Sequence, residues 1–168
     1  MDLESLKDQL LSAADTAKTG DVIEKLLAQG ADVNCTDSYG LTPLMRAALF
    51  NSSAKVIKAL IKAGADVYER EPQYKSTALQ LAANHNPSAQ VIEALVQGGS
   101  DVNDVNYLGE TALIMAVNSG NDTKVISALV RAGSDVNARD YHDRSALDYA
   151  RMSRRNYVAK ILRDAGAR

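Results

Sequence analysis

The chain has 168 residues, of which 46% are hydrophobic and 24% are charged, so it fits one compact domain or one short repeat array. Its net charge of -2 favours neither nucleic acid nor acidic lipid as a partner, and no apolar run reaches the length of about 18 residues that a membrane span requires. Residues 1–17 lack a signal-peptide pattern and Cys35 is the sole cysteine, so we expect a cytoplasmic protein without an internal disulfide.

The first predicted unit is a pair of helices. A long first helix begins near Leu3, and Asp8 stands where a helix-capping threonine is found in the later units. The second helix stops at Gly30, because glycine readily adopts the left-handed conformation that ends helices. The apolar faces at helical spacing are Leu10, Ala13 and Ala14 in the first helix, and Val22, Ile23, Leu26 and Leu27 in the second.

The segment after the second helix recurs along the chain. It is found at Gly30–Asn34, Gly64–Tyr68, Gly99–Asn103 and Gly133–Asn137. The aspartates within it are 34, 35 and 34 residues apart. A nearly constant period in this range predicts a repeat architecture, in which each unit buries its apolar face against its neighbours.

A second recurring segment opens the first helix of each later unit. It is found at Thr42–Met45, Thr77–Gln80, Thr111–Ile114 and Ser145–Asp148. The leading Thr or Ser can accept a hydrogen bond from the first helical turn, and Pro43 suits the first helical position. Short polar turns at 51–53, 86–88 and 120–122 then lead to the second helices.

Each unit is thus a helix–turn–helix followed by a polar segment. This arrangement resembles the ankyrin repeat, whose motif is matched most fully by Asp37–Leu44. The resemblance covers the whole chain and implies an all-α solenoid of stacked helix–turn–helix units, with the polar segments forming β-hairpin fingers. It divides a single domain, 1–168, into five repeats at about 1–36, 37–71, 72–105, 106–139 and 140–168.

The chain departs from the family pattern in two ways. Three units are one residue longer in their helical part, which we assign to the turn between the helices, and the finger at 69–76 has one further residue. The histidine that ties the helix start to the finger in the family is replaced by Met45, Gln80, Ile114 and Asp148. We expect Gln80 and Asp148 to replace it in part. The apolar Met45 and Ile114 can only pack.

The terminal units are expected to be caps. In the last unit, Arg151 and Arg163 occupy positions that are apolar in the inner units and that contact the next repeat there. Charged residues at these positions predict the end of the stack, because a solenoid needs polar outer faces on its terminal units.

No residue pattern points to catalysis. The chain has two histidines and one cysteine, and it contains no metalloprotease, zinc-finger, serine-hydrolase or phosphate-loop motif. The aspartates of the recurring segments are interpreted as turn formers rather than as a carboxylate cluster. We therefore expect a protein that is not an enzyme and that has no catalytic residues, metal site or cofactor.

The ankyrin resemblance implies a module that binds another protein through its finger tips and the concave face of its first helices. Four of the seven tyrosines lie at the tips, where tyrosine offers a large contact area at low entropic cost. The predicted partner-binding residues are Tyr39, Leu41, Leu49, Phe50, Tyr74, His85, Tyr107, Leu108, Tyr141 and His142. The alternative for Leu49 and Phe50 is that the longer turn folds them inward, and for the tyrosines that they are structural.

Uneven charge supports a second hypothesis. Residues 1–38 have a net charge of −5, whereas residues 142–168 have a net charge of +4. The basic end, with Arg151, Arg154 and Arg155 at helical spacing, offers a contact for an acidic partner or nucleic acid if the chain is a structural or regulatory domain of a larger protein. A solubilising cap is the alternative, because no aromatic residues are interleaved with these charges. The opposite charges of the two ends also permit weak head-to-tail association of an otherwise monomeric protein.

The resemblance also bears on the finger asparagines. Asn34, Asn103 and Asn137 occupy a position that is hydroxylated in some ankyrin proteins. The interpretation that we favour is an asparagine that stabilises a turn.

Overall fold

The computed structural model describes residues 3–168, and this part of the chain contains ten α-helices. In chain order they are α1 (Leu3–Thr16), α2 (Asp21–Ala28), α3 (Pro43–Phe50), α4 (Ala54–Lys62), α5 (Ala78–His85), α6 (Ala89–Gln97), α7 (Ala112–Asn118), α8 (Thr123–Arg131), α9 (Ala146–Met152) and α10 (Asn156–Asp164). Each odd-numbered helix packs against the even-numbered helix that follows it, which gives five pairs, or units. We call the two members of a pair its first helix and its second helix.

The five units stack side by side in two layers. First helices contact neighbouring first helices, and second helices contact neighbouring second helices, from one end of the stack to the other. The core lies between the layers, where small residues such as Ala47 and Ala82 meet branched residues such as Ile57 and Ile92, all fully buried. Each buried branched side chain contributes roughly 1.5–3 kcal/mol. The prediction of an all-α repeat solenoid is therefore confirmed.

Several helix ends are fixed by residues that the sequence singles out. Thr42 Oγ1 accepts a hydrogen bond from the N–H of Met45 at 3.3 Å, and Thr111 makes the equivalent bond with Ile114. Gly30 follows α2 with a φ of 97°, a left-handed conformation that is strained for residues with a side chain. The glycines after the other second helices have the same geometry, so every unit ends in the same way.

The segments that join one unit to the next project from the stack as fingers. We define the first to fourth fingers as residues 30–41, 64–76, 99–110 and 133–144. No regular β-strand occurs in the described residues, where ladder pairing is limited to two isolated antiparallel bridges in the third and fourth fingers. Two backbone hydrogen bonds close the tip of each finger. In the first finger, the N–H of Asp37 donates to the carbonyl of Leu41 and the N–H of Gly40 donates to the carbonyl of Asp37, both at 3.0 Å. The predicted β-hairpins are thus reduced to tight turns in these fingers.

The extra residue of the long units lies partly where the sequence places it. In the third inner unit, α7 has seven residues and the turn 119–122 is longer by one than the turn 153–155 of the last unit. In the units of α3 and α5, however, the turns keep three residues and the first helices have eight residues each. The assignment to the turn is therefore correct for α7 and wrong for α3 and α5, where the residue extends the helix.

A ladder of polar side chains runs through the turns between the two helices of each unit. Asn51 Nδ2 donates to two carbonyls near the end of α1, at 2.9 and 2.8 Å. Asn86 and Asn121 repeat this arrangement, each donating to two carbonyls of the unit before it. In the last unit the guanidinium of Arg155 makes the two bonds instead. This turn ladder joins all five units by hydrogen bonds between buried or half-buried groups.

The two ends of the stack present different surfaces. A cleft of about 990 Å³ lies between α1 and α2 on the first unit. On the last unit, Arg151 and Arg163 are exposed. No helix among residues 3–168 combines the length and the apolar character needed to cross a membrane.

Candidate functional site

Each finger is built around one side chain that accepts backbone hydrogen bonds from the tip. In the first finger, Asp37 Oδ1 accepts from the N–H groups of Tyr39 and Leu41, at 2.8 and 2.9 Å. Asn106 and Asp140 hold the third and fourth fingers with the same pair of bonds, two and four residues further along. The backbone of these tips is therefore fixed before any partner binds.

The second finger keeps this arrangement although it contains one more residue. The acceptor here is Glu71, and its longer side chain reaches the N–H groups of Gln73, Tyr74 and Ser76 at 2.6, 2.7 and 3.1 Å. Lys75 absorbs the insertion with a φ of 57°. The change from Asp to Glu and the inserted residue therefore compensate each other.

The four tip tyrosines are between 44% and 78% exposed, and two of them, Tyr74 and Tyr107, are in contact. The rings of Tyr74 and Tyr107 have centroids 6.0 Å apart at an angle of 33°, and the N–H of Tyr107 donates to the carbonyl of Tyr74 at 2.8 Å. Tyr141 lies against Gly109, where an added Cβ would come within 2.6 Å of its ring. Tyr39 completes the set at the first finger with the largest exposure.

On the first helices, Arg46 links the first two units and supports an exposed aromatic ring. Its guanidinium pairs with Asp15 of α1 and, at 2.7 Å, with Asp37 of the first finger. The same group lies 5.7 Å from the ring centroid of Phe50, a cation–π contact. Burial opposes ionisation of Asp37, but its hydrogen bonds to Leu41, Arg46 and Tyr39 together lower its pKa below the usual value.

Two contacts tie the fingers to the helix starts at positions where the histidine is missing. Gln80 Nε2 donates to the carbonyls of Asp104 and Glu110 in the third finger, at 2.8 and 3.2 Å. Asp148 pairs with Arg139 of the fourth finger at 3.4 Å. The structure bears out the predicted replacement by Gln80 and Asp148, whereas Met45 and Ile114 are buried and pack.

Neighbouring fingers are bridged by side-chain amides, with one exception. Asn34 donates to the carbonyl of Gly64 at 3.3 Å and accepts from the N–H of Asp66 at 2.9 Å. The asparagines of the third and fourth fingers make the same pair of bonds with the segment that follows. In the second finger the position is Tyr68, whose hydroxyl makes a single bond to the carbonyl of Gly99 at 3.0 Å. The finger asparagines therefore have a structural role. They bridge neighbouring units, whereas the interpretation that we favour from the sequence is an asparagine that stabilises a turn.

Comparison with known proteins agrees with this architecture. The family pattern described as Ankyrin repeats (3 copies) matches residues 10–106 and 81–168. The chain belongs to the ankyrin-repeat family. Ankyrin repeats are generally protein-interaction modules and generally lack catalytic activity.

Two relatives match short stretches of this ankyrin-repeat chain. The ankyrin repeat protein FPV031 of fowlpox virus (strain NVSL) is 41% identical over 49 residues, which are 29% of this chain and 14% of the viral protein. The mitochondrial disaggregase of Bos taurus is 42% identical over 62 residues, which are 37% of this chain and 9% of that protein. The chain thus matches a small part of the length of either relative.

The predicted contact residues of the ankyrin-repeat chain lie on the finger tips and the first helices. Seven are exposed, namely Tyr39, Phe50, Tyr74, His85, Tyr107, Tyr141 and His142. Three are half-buried, namely Leu41, Leu49 and Leu108. Phe50 is 61% exposed, so the alternative that the turn folds its ring inward is wrong. His85 is accompanied by Asn84, whose Nδ2 lies 3.0 Å from the ring nitrogen Nε2.

The basic end has fewer available cations than its sequence suggests. Arg155 donates into the turn ladder, as described above, and Arg151 lies 3.7 Å from Asp148. The guanidinium of Arg144 lies 5.8 Å from the ring centroid of Tyr149.

In the described part of the chain, no group of three or more His, Cys, Asp or Glu residues is placed to hold a metal ion.

Sequence reasoning missed the turn ladder and the Arg46 pairs. The ladder had a visible signal, because Asn51, Asn86 and Asn121 are spaced by 35 residues. An asparagine in a polar turn is normally exposed, however, and these become covered when the next unit packs on them. The Arg46 pairs had no signal, since their partners lie 31 and 9 positions away.

Proposed function

We propose that this ankyrin-repeat chain binds another protein and catalyses no reaction, with the partner held between the finger tips and the exposed ends of the first helices. The observation that carries the proposal is the set of four tip tyrosines, which stay exposed although their backbones are fixed. The N–H groups of Tyr39 and Tyr74 donate to side-chain acceptors, and those of Tyr107 and Tyr141 donate to carbonyls of the preceding finger. Rigid, exposed aromatic residues lose little entropy on binding, and they often dominate interfaces.

The charges near this surface indicate the kind of partner. Arg46 beside Phe50 is paired with Asp15 and Asp37, so it adds no positive net charge to the face. His85 is exposed and offers a hydrogen-bonding ring instead. We infer a weakly charged partner segment that places apolar or aromatic side chains against the tyrosines and Phe50. Binding of this kind depends little on salt.

A double substitution, Tyr39→Ala with Tyr74→Ala, tests the proposal. The wild type, the double variant and a control are used as baits, and the captured proteins are quantified by mass spectrometry. The control is Tyr157→Ala, an exposed tyrosine on the second helix α10. A partner of the proposed surface should bind the double variant at least about tenfold more weakly and the control normally, since hot-spot truncations cost about 2 kcal/mol or more.

The melting temperature separates the proposal from a structural role of the tyrosines. We expect the double variant to melt only slightly below the wild type, because Tyr39 is 78% exposed and the half-exposed Tyr74 loses a ring contact with Tyr107 but fills no core position. A large loss of stability, or captured proteins that bind all three baits equally, would refute the proposed surface.

A partner bound through the basic end is the second candidate, and it would show the opposite pattern. Such a partner would bind the double variant normally and would be released as salt rises. It has less support, because Arg155 donates into the turn ladder and Arg151 pairs with Asp148. A cytoplasmic location belongs to our proposal as well, since Cys35 has no second cysteine in the chain to pair with. A scaffolding role belongs to it because the stacked units offer one extended surface.

A further inference from the structure

We infer that the cleft between α1 and α2 is a docking site for the basic end of a second copy of this chain, so that copies join head to tail. We call this cleft the head cleft, and the exposed face of α9 and α10 the tail. The inference is independent of partner binding, because the tip tyrosines are not part of either surface.

The head cleft exposes a residue that every other unit covers. Val22 of α2 lines the cleft and is 48% exposed. The residues at the same position of the other second helices are at most 2% exposed; they are Val56, Val91, Val125 and Val158. Since Val158 is buried although its unit is the last described, coverage at this position comes from the preceding unit. The head cleft is therefore shaped to receive a second helix from the side of a preceding unit.

The occupant of the cleft can be read from the charges around it. Asp8 on the α1 wall is exposed, and Lys25 of α2 also lines the cleft. The first 38 residues have a net charge of −5, although Asp15 and Asp37 among them are paired with Arg46. On the tail, Arg163 is exposed and Arg151 is exposed beside Asp148, and residues 142–168 have a net charge of +4 that includes the engaged Arg155. Complementary charge on two surfaces of one chain favours a second copy as the occupant.

The tail arginines stand where inner units make their contacts with the next unit. Arg163 has the helix position of Ile61, whose Cδ1 lies so close to Gly98 of the next unit that an added Cβ there would be 2.4 Å away. In a head-to-tail pair, Arg163 would reach Gln29, which has the position of Gly98 and lines the head cleft. Val22 lies about two helical turns from Gln29 along α2, so its cover would come from the start of α10, while the stem of Arg163 packs near Gln29 and its guanidinium stays near the acidic wall.

When two different surfaces of the same chain bind each other, the assembly keeps an unoccupied head cleft at one end and an unoccupied tail at the other. Copies would therefore form open chains whose length grows with concentration, rather than a dimer of fixed size. The contact should be weak and sensitive to salt, because it depends on exposed charges.

Substitutions that reverse the charge at either end of the stack test the inference. The wild type, Asp8→Lys and Arg163→Glu are examined by sedimentation velocity from about 10 to 500 µM at about 50 mM salt. We expect the wild type to associate with rising concentration, and each variant alone to associate about tenfold more weakly. An equal mixture of the variants should associate again, because each head then meets a tail of opposite charge on the other variant.

Several outcomes would overturn the inference. A wild type that stays monomeric at the highest concentration excludes the contact, and a dimer of fixed size indicates a different interface. A mixture that fails to associate excludes pairing of Asp8 with the tail. Circular dichroism melts of both variants confirm that they are folded, and because each substituted side chain is exposed we expect melting temperatures close to that of the wild type.

Discussion

Tyr68 is the one finger residue that breaks the amide bridge between neighbouring units, and its replacement by asparagine should strengthen the stack. In Tyr68→Asn the new amide can donate to the carbonyl of Gly99, as the tyrosine hydroxyl does at 3.0 Å. It can also accept from the N–H of Asp101, as Asn103 accepts from Asp135 at 2.7 Å one unit later. The substitution therefore keeps one hydrogen bond and adds a second.

The size of the gain follows from the environment of Tyr68. A net intramolecular hydrogen bond contributes about 0.5–1.5 kcal/mol, and this one is exposed, so we expect the lower half of that range. Tyr68 is 62% exposed, so the loss of its ring removes little buried apolar surface. The free energy of unfolding should rise by about 0.5–1 kcal/mol, which is roughly 1–4 °C in melting temperature for a chain of this length.

Urea titration and hydrogen exchange measure the effect, with the reverse substitution Asn103→Tyr as the matched control. The exchange of the Asp101 amide should slow in Tyr68→Asn, and that of Asp135 should quicken in Asn103→Tyr, which should also lower stability by a similar amount. The reasoning fails if both substitutions change stability in the same direction, or if Tyr68→Asn gains stability without protection of the Asp101 amide.

The remaining predictions concern the turn ladder, a buried hydroxyl and one carboxylate. Asn86→Ala removes two donated bonds and one accepted bond, so urea titration should show a loss of about 2–4 kcal/mol. In the described residues the hydroxyl of Ser100 is buried without a hydrogen-bond partner. Ser100→Ala should therefore raise the melting temperature and increase the free energy of unfolding by about 0.5–1 kcal/mol. A lower melting temperature would indicate that the hydroxyl has a partner. Burial opposes ionisation of Asp140, but bonds from Tyr149, Arg144 and His142 lower its pKa, so its stabilisation is present above about pH 4 and is lost as pH falls. Unfolding free energy should therefore fall less steeply between about pH 5 and 3 in Asp140→Asn than in the wild type, and equal slopes would contradict the assigned bonds.

The sequence predicts the fold well because the contacts that define it are local in the repeat. A glycine such as Gly30 ends each second helix through its own φ angle, and a threonine such as Thr42 caps the helix that it opens. Adjacent units repeat these helix-ending and helix-capping residues at the same positions, so the direction in which the units stack follows from the period of the sequence alone. The exposed tip tyrosines were predictable for the same reason, since their place in the motif determines their place in the finger.

What the sequence did not reveal is set by contacts between units. Asn51 and Arg155 each donate to two carbonyls of the preceding unit in the turn ladder, although one is a neutral amide and the other is a cation. Arg155 therefore looked like part of a basic surface. Phe50 looked equally suited to core and surface. Its ring lies beside the guanidinium of Arg46, which pairs with an aspartate 31 residues earlier.

The departures from the repeat gather in the second finger, and they compensate one another. Tyr68 weakens the amide bridge to the third unit, but Arg70 of the same finger pairs with both carboxylate oxygens of Asp104 at 2.6 Å and also donates to the carbonyl of Val105. Both contacts to Asp104 come from Nη2 of Arg70, and charge-assisted hydrogen bonds of this kind are stronger than neutral ones. The second and third fingers are therefore held at their tips by an ion pair and by the tilted contact between the rings of Tyr74 and Tyr107, rather than at their base by an amide.

This exchange of contacts matters for recognition. An amide bridge at the base of a finger leaves its tip free, whereas Arg70 holds the tips of two fingers in one orientation, and with them two of the four tyrosines proposed to contact the partner. If that is its role, Arg70→Ala should weaken partner binding more than it lowers stability, because the partner would have to order the two tips on binding. Tyr68→Asn offers the comparison, since it strengthens the same junction without touching the tips. A partner affinity that changes in Tyr68→Asn and not in Arg70→Ala would show that the orientation of the tips does not govern recognition.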